Sequence, residues 1–345
     1  MKILIILLLT IGVTACLTTD PADHYGSQRT GVIDRDFADS SRSNWLGTGP
    51  RPLRSTIWYP AGKGGYAEVI IDSSQFPYPV KVFRDAKISN RGKKVPMILI
   101  SHGSQGNAMQ MRWLGYYLAS KGYIAVAINH NGTDEEERKT GILSISDFCM
   151  WERPKDVSAI LDKMLKDPVF SHKIDTNHIA AAGFSLGGTT AIWVAGSVLN
   201  TEELARNEPE PPPVFRASID RLVELKKTDS IIINSSRHSA DSFRDNRIKA
   251  VFALAPAIGQ GFTQESLKNI RVPVQIVVGD ADVVTPKESN AMHYAKNIPN
   301  ARPLIILPGE RGHYLTPAKG SERASELLEV SQLAYSFFEE VLKVK

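Results

Sequence analysis

Cysteine is nearly absent. The 345 residues hold two, Cys16 and Cys149, so no disulfide framework is available. An excess of one charge is missing as well: 41 Lys and Arg stand against 37 Asp and Glu, a formal net charge of +4. No run of five or six basic residues occurs, so no nucleic-acid partner is expected. No apolar stretch approaches the roughly 18 residues of a membrane-spanning helix, and no repeat at a fixed period is present. There is no HExxH string and no Cys/His cluster at ligand spacing, so neither metal nor cofactor is expected. What is there, 42% hydrophobic and 23% charged residues, suits a globular chain with a substantial core.

The N-terminal "MKILIILLLTIGVTAC" stands apart from the rest. Lys2 is a short basic head and residues 3–13 are an apolar core too short to span a bilayer, so residues 1–15 read as a signal peptide. Val13, Thr14, Ala15 and Cys16 resemble the lipobox of bacterial lipoproteins. That resemblance implies a lipidated Cys16 at the mature N-terminus and membrane contact through the lipid. With Leu17 rather than Asp following, it implies the outer membrane of a bacterial cell envelope. The alternative is an ordinary secretory signal that happens to contain a cysteine. Cys149 is then left without a partner and is expected to be a small buried apolar residue. Residues 16–45, polar and rich in Ser, Thr, Asp and Gly, read as a tether, and residues 46–345 as the folded domain.

Inside that domain short apolar runs alternate with helical periodicity. "RPLRSTIWYP" reads as an early strand. "VPMILIS", "YIAVAIN", "HIAAAGF", "IKAVFALAP", "VPVQIVVG" and "RPLIILPG" read as strands buried on both faces. "AMQMRWLGYYLAS", residues 153–166 and the C-terminal segment carry the 3.6-residue period of helices. The alternation predicts an α/β fold, a mostly parallel sheet with helices on both faces. Two long segments interrupt it. Residues 131–151 are one, and residues 200–247, with the stiff "NEPEPPP" and a short helical pattern at "ASIDRLVELKK", are the other. Both are expected to wall and cap a pocket. Among the aromatics, Trp193 reads as core, whereas Trp113 and above all Trp151 are candidates for the pocket lining.

The chemistry centres on "HIAAAGFSLGG". Gly183-x-Ser185-x-Gly187 directly follows a buried strand and directly precedes an apolar helix, the setting of a nucleophile elbow. There the serine backbone is strained, and flanking glycines let strand and helix approach closely. The competing reading, a glycine-rich helix cap in which Ser185 bonds a backbone amide, ignores that setting. A serine hydroxyl needs a base. Of eight histidines, His313 in "PGERGHYL" follows the last strand, where loops converge at the sheet edge. "VVGDADVVTP" offers two acids, Asp280 and Asp282; Asp282 is favoured because it is carried further past the strand. Two backbone N–H groups are expected to receive developing oxyanion charge, those of Leu186 after the nucleophile and of Ser104 in "SHGSQGN". His102 in the same loop is expected to brace it rather than act as a base.

"SHGSQGN", "AINHNGT", "RPKDVSAILDKML", "IDTNHIAAAGFSLGG", "KAVFALAP" and "GDADVVTP…GHY" together resemble the α/β-hydrolases, in particular the dienelactone-hydrolase-like and platelet-activating-factor-acetylhydrolase-like branch. The resemblance covers about residues 45 to 343. It implies an α/β-hydrolase fold with a cap insertion at 200–247 and a catalytic triad of Ser185, Asp282 and His313 in that superfamily's chain order. It also implies oxyanion donors at Ser104 and Leu186, and hydrolysis of a small-molecule ester. Dienelactone hydrolases proper use a cysteine where this chain has Ser185. The same residues serve an amidase or acyltransferase equally, and a silent hydrolase fold used as a binding module is the reading from another class.

Overall fold

Ten strands form one sheet in the computed structural model, which describes residues 25, 28–89, 94–133, 143–207, 220, 223–317 and 323–342. The signal segment and Cys16 lie outside these residues, as do residues 208–219, which hold the proline run "EPEPPP", and residues 134–142 of the first long segment. In chain order the strands are β1 (Thr30–Ser43), β2 (Pro50–Pro60), β3 (Tyr66–Ile70), β4 (Val80–Arg84) and β5 (Val95–Ser101). They continue with β6 (Ile124–Ile128), β7 (Ile174–Phe184), β8 (Ile248–Leu254), β9 (Val274–Gly279) and β10 (Ile305–Leu307). Across the sheet they run β10-β9-β8-β7-β5-β6-β2-β1-β4-β3. The six strands from β10 to β6 are parallel to one another. β2 turns antiparallel on β6, and β1 antiparallel on β2.

Runs such as "MILI" and "IAVAI" are buried throughout, because helices cover a parallel sheet on both sides. The helices that matter for the site are α1 (Arg112–Ser120), α2 (Glu152–Met164) and α3 (Leu186–Val194), followed by α4 (Thr201–Asn207), α5 (Ser230–Ser236) and α6 (Arg323–Leu342). From β5 the chain crosses by α1 to β6 on one side, then by α2 back past β5 to β7. Right-handed crossovers in opposite directions place α1 and α2 on opposite faces. The reversal falls between β5 and β7, whose carboxyl ends therefore open a crevice where ligands of such sheets bind.

One expectation is corrected. Residues 30–43, read as part of a polar tether, form the longest strand, paired with β2 from Thr30↔Pro60 to Asp39↔Arg51. Beyond its first three residues β1 is at most half-buried, so its polar composition mimics a linker while its backbone is tied into the sheet. The β3–β4 hairpin at the sheet edge carried no sequence expectation. In the 200–247 insertion, α4, a helical stretch at 223–228 and α5 are described.

Candidate active site

β7 delivers the chain to Ser185, which takes φ 54° and ψ −122° before α3 starts at Leu186. A non-glycine residue in that region is strained and persists only when its surroundings hold it. Here the Ser185 N–H donates to the Leu254 carbonyl at 2.8 Å, and the Ser185 carbonyl accepts from the Thr189 N–H at 3.1 Å. The flanking glycines follow from contact. A Cβ on Gly183 would strike the backbone of Gly187, and one on Gly187 would strike the carbonyls of Ser101 and His102. The Leu186 N–H heads α3 and has no acceptor four residues back inside the helix. The helix dipole adds partial positive charge at the same spot.

The β9 and β10 loops bring two more side chains to this turn. His313 Nε2 lies 2.9 Å from Ser185 Oγ, and His313 Nδ1 lies 2.9 Å from Asp282 Oδ2. A carboxylate only accepts, so Nδ1 carries the proton and Nε2 is left to accept from the serine hydroxyl. Asp282 is itself held: Oδ1 accepts from the N–H groups of Val284 and Thr285, and Oδ2 from the Thr285 hydroxyl at 2.7 Å. Burial would raise the Asp282 carboxyl, but hydrogen bonds from His313 and then Thr285 hold it below its ordinary value. Asp280 faces solvent. Of the two acids, Asp282 is the one beside the imidazole.

Sequence reasoning missed two supports of this arrangement. Thr285 sits three residues past the acid, a spacing at which Asp side chains commonly accept from the following turn, and that signal was present. Gly279 ends β9, and a Cβ there would collide with the Arg311 carbonyl, so only glycine lets the acid loop and the histidine loop lie this close.

On the other side of Ser185 the loop after β5 lies against the elbow, with Gly103 beside the Phe184 ring. Ser104 is exposed in the turn that Gln105 closes at φ 55°. His102 is fully buried, and its Nδ1 contacts the Gly103 carbonyl at 2.7 Å, the bracing place expected of it. The Gly103 N–H donates to Gln110 Oε1 at 2.9 Å.

The aromatic expectations divide. Trp193 is core, packed on Phe243 and Phe262. Trp151, favoured for the pocket, is instead buried under the insertion with its indole N–H donated to Ser235 Oγ of α5 at 2.8 Å. Ser235 donates in turn to Glu152 at the head of α2, so Trp151 fastens the insertion to the body. The small cavity beside His313, about 70 Å³, has Trp113, Phe184, Tyr314 and Leu315 in its wall. The Phe184 ring is 4.9 Å from the His313 ring. Cys149 is buried, and burial together with nearby Glu152 pushes its thiol up to about 12, which leaves it inert.

A parallel sheet reversing between β5 and β7, with a strained serine at the β7 end and a histidine and an acid at the next edges, is an α/β-hydrolase fold. No protein-family model matches the chain. It is similar to the ferulic acid esterase from Streptomyces cinnamoneus, with a TM-score of 0.62 at 17% identity over 92% of this chain and 91% of that one. By sequence it is similar to Cutinase est1 of Thermobifida alba, 24% identical over 222 residues, which are 64% of this chain and 53% of the cutinase. It also resembles Dipeptidyl-peptidase 5 of Porphyromonas gingivalis, 30% identical over 111 residues, 31% of this chain and 16% of the peptidase. The chain thus spans about half of the cutinase and a small part of the peptidase.

Proposed function

We propose that this chain is a serine hydrolase that cleaves small or short-acyl carboxylic esters through an acyl-enzyme on Ser185. The observation that carries the reading is the unbroken relay from Ser185 Oγ through His313 to Asp282, each step 2.9 Å, on a strained turn. His313 takes the Ser185 proton as Oγ attacks the ester carbonyl, and Asp282 holds the imidazole tautomer and balances its charge. The N–H groups of Leu186 and Ser104 receive the oxyanion; each such donor is worth roughly 3 kcal/mol in comparable enzymes. The alcohol leaves with the proton from His313, and water attacks the acyl-enzyme by the same route. The names of the cutinase and of the ferulic acid esterase support an ester substrate.

Two finer assignments belong to the same proposal. The motifs at 101–107, 153–165 and 183–188 favour the dienelactone-hydrolase-like and platelet-activating-factor-acetylhydrolase-like branch. The "VTAC" sequence favours a lipoprotein anchored through Cys16 in a bacterial outer membrane. A fluorophosphonate probe should label the wild-type protein and leave Ser185→Ala unlabelled. Nitrophenyl esters should be turned over and the matching anilides not. An unlabelled wild type, or turnover of anilides alone, overturns the ester reading. Cys16→Ser should move the protein from the membrane to the soluble fraction, and continued lipid labelling of that variant would refute the anchor.

A further inference from the structure

The "RPKD" at the start of α2 places two charged side chains in the interior, and the relay around Ser185 uses neither. Arg153 is 1% exposed and Asp156 fully buried. Asp156 is matched by Arg51, Arg42 and His130. Arg153 reaches elsewhere: Nη1 donates to the His102 carbonyl at 2.7 Å and Nη2 to the Gly103 carbonyl at 3.3 Å. Sinking a guanidinium this deep is costly, and it has been sunk onto the backbone of the loop that carries Ser104.

Peptide planarity turns those contacts into an orientation. In a trans peptide the C=O and the following N–H point in opposite directions. The His102–Gly103 peptide displays this, with its carbonyl on Arg153 and its N–H on Gln110 Oε1. In the next peptide the Gly103 carbonyl has three donors around it: Arg153, the Gly106 N–H at 3.2 Å and His102 Nδ1 at 2.7 Å. A carbonyl only accepts, so the His102 proton is on Nδ1; Nε2 is the acceptor that faces the His130 N–H at 3.4 Å. The N–H opposite this thrice-held carbonyl belongs to Ser104.

We propose that Arg153, with His102, is a positioning residue that aims the Ser104 N–H at the oxygen reacting with Ser185. The inference rests on the serine-hydrolase reading and adds the group that sets the second oxyanion donor. Without Arg153 the His102 carbonyl loses its donor and the 103–104 peptide is held only by His102 Nδ1 and the Gly106 N–H, so the Ser104 N–H loses its fixed aim while the serine–histidine–aspartate relay stays assembled.

The test is ester turnover per active serine, with sites counted by fluorophosphonate titration so that unfolded protein does not enter. Arg153→Met should lower kcat about 10²-fold, the usual effect of losing one oxyanion donor. KM should stay within about threefold, and the pH profile should not move, because the proton relay is untouched. Arg153→Lys, able to hold one carbonyl, should recover part of the loss. If Arg153→Met does not fold, His102→Leu removes another donor to the same carbonyl and should lower kcat per site in the same way. Full kcat per titrated serine in the folded variant, or a change confined to KM, overturns the inference. Failure of the probe to label wild type would instead overturn the serine-hydrolase reading, so the two failures are told apart.

Discussion

At the scale of single residues, two aspartates two positions apart meet different surroundings. Asp280 and Asp282 share one loop, yet Asp280 faces water while Asp282 receives bonds from His313 and Thr285. Asp282→Asn should leave the imidazole in the wrong tautomer and lower kcat about 10⁴-fold, whereas Asp280→Asn should stay within about twofold of wild type, by steady-state kinetics on a nitrophenyl ester. A second residue-scale prediction concerns acid. His130 is fully buried between Asp156 and Ser101. Burial, then the Arg153 charge, lowers it from near 6.5 to about 4 against the pull of Asp156. Below 6.5 the unfolded chain takes up a proton here and the folded chain does not. The contribution is therefore complete above about pH 6.5 and is lost as pH falls toward 4, on the order of 3 kcal/mol in all. Urea midpoints at pH 7.5 and 4.5 should fall more for wild type than for His130→Gln; equal falls would count against it.

At the scale of elements, the site depends on glycines where backbones touch. Gly279→Ala pushes its Cβ into the Arg311 carbonyl and so moves the loop that holds His313. A shift of about 1 Å there should lower kcat about 10²-fold while the protein still folds, read by kinetics beside a thermal melt. The buried strands and the elbow were legible in the sequence because continuous apolar runs and a glycine–serine–glycine turn are local signals. Ser185 and His313 were legible for the same reason, each lying just past such a run. Thr285 and Gly279 carried no expectation, and Trp151 was expected in the pocket rather than under the insertion. Thr285 acts on Asp282 inside one loop, a local signal that was passed over, whereas Gly279 and Trp151 take their roles from residues far along the chain, the Arg311 carbonyl and Ser235 of the insertion.

At the scale of the whole molecule, β1 is the piece that composition disguised. It pairs with β2 along most of its length and with β4 on its other edge, and Arg42 at its far end reaches Asp156. Deleting residues 1–24 should leave a folded, active protein. Deleting residues 1–45 removes β1, exposes the edges of β2 and β4 and takes a cation from the buried Asp156, so that form should aggregate. Expression solubility and circular dichroism of the two truncations check this; a soluble, cooperatively melting 46–345 fragment would contradict it.

The amino-acid order alone determined the strand-and-helix alternation, the serine on its turn and the succession Ser185, Asp282, His313, since apolar period and turn chemistry act over a few residues. Only the tertiary structure decided which aspartate meets the imidazole, that a polar N-terminal stretch is a strand, and that Arg153 grips the loop of Ser104. Those outcomes depend on which elements the sheet order makes neighbours, and residues tens of positions apart carry no local mark of that.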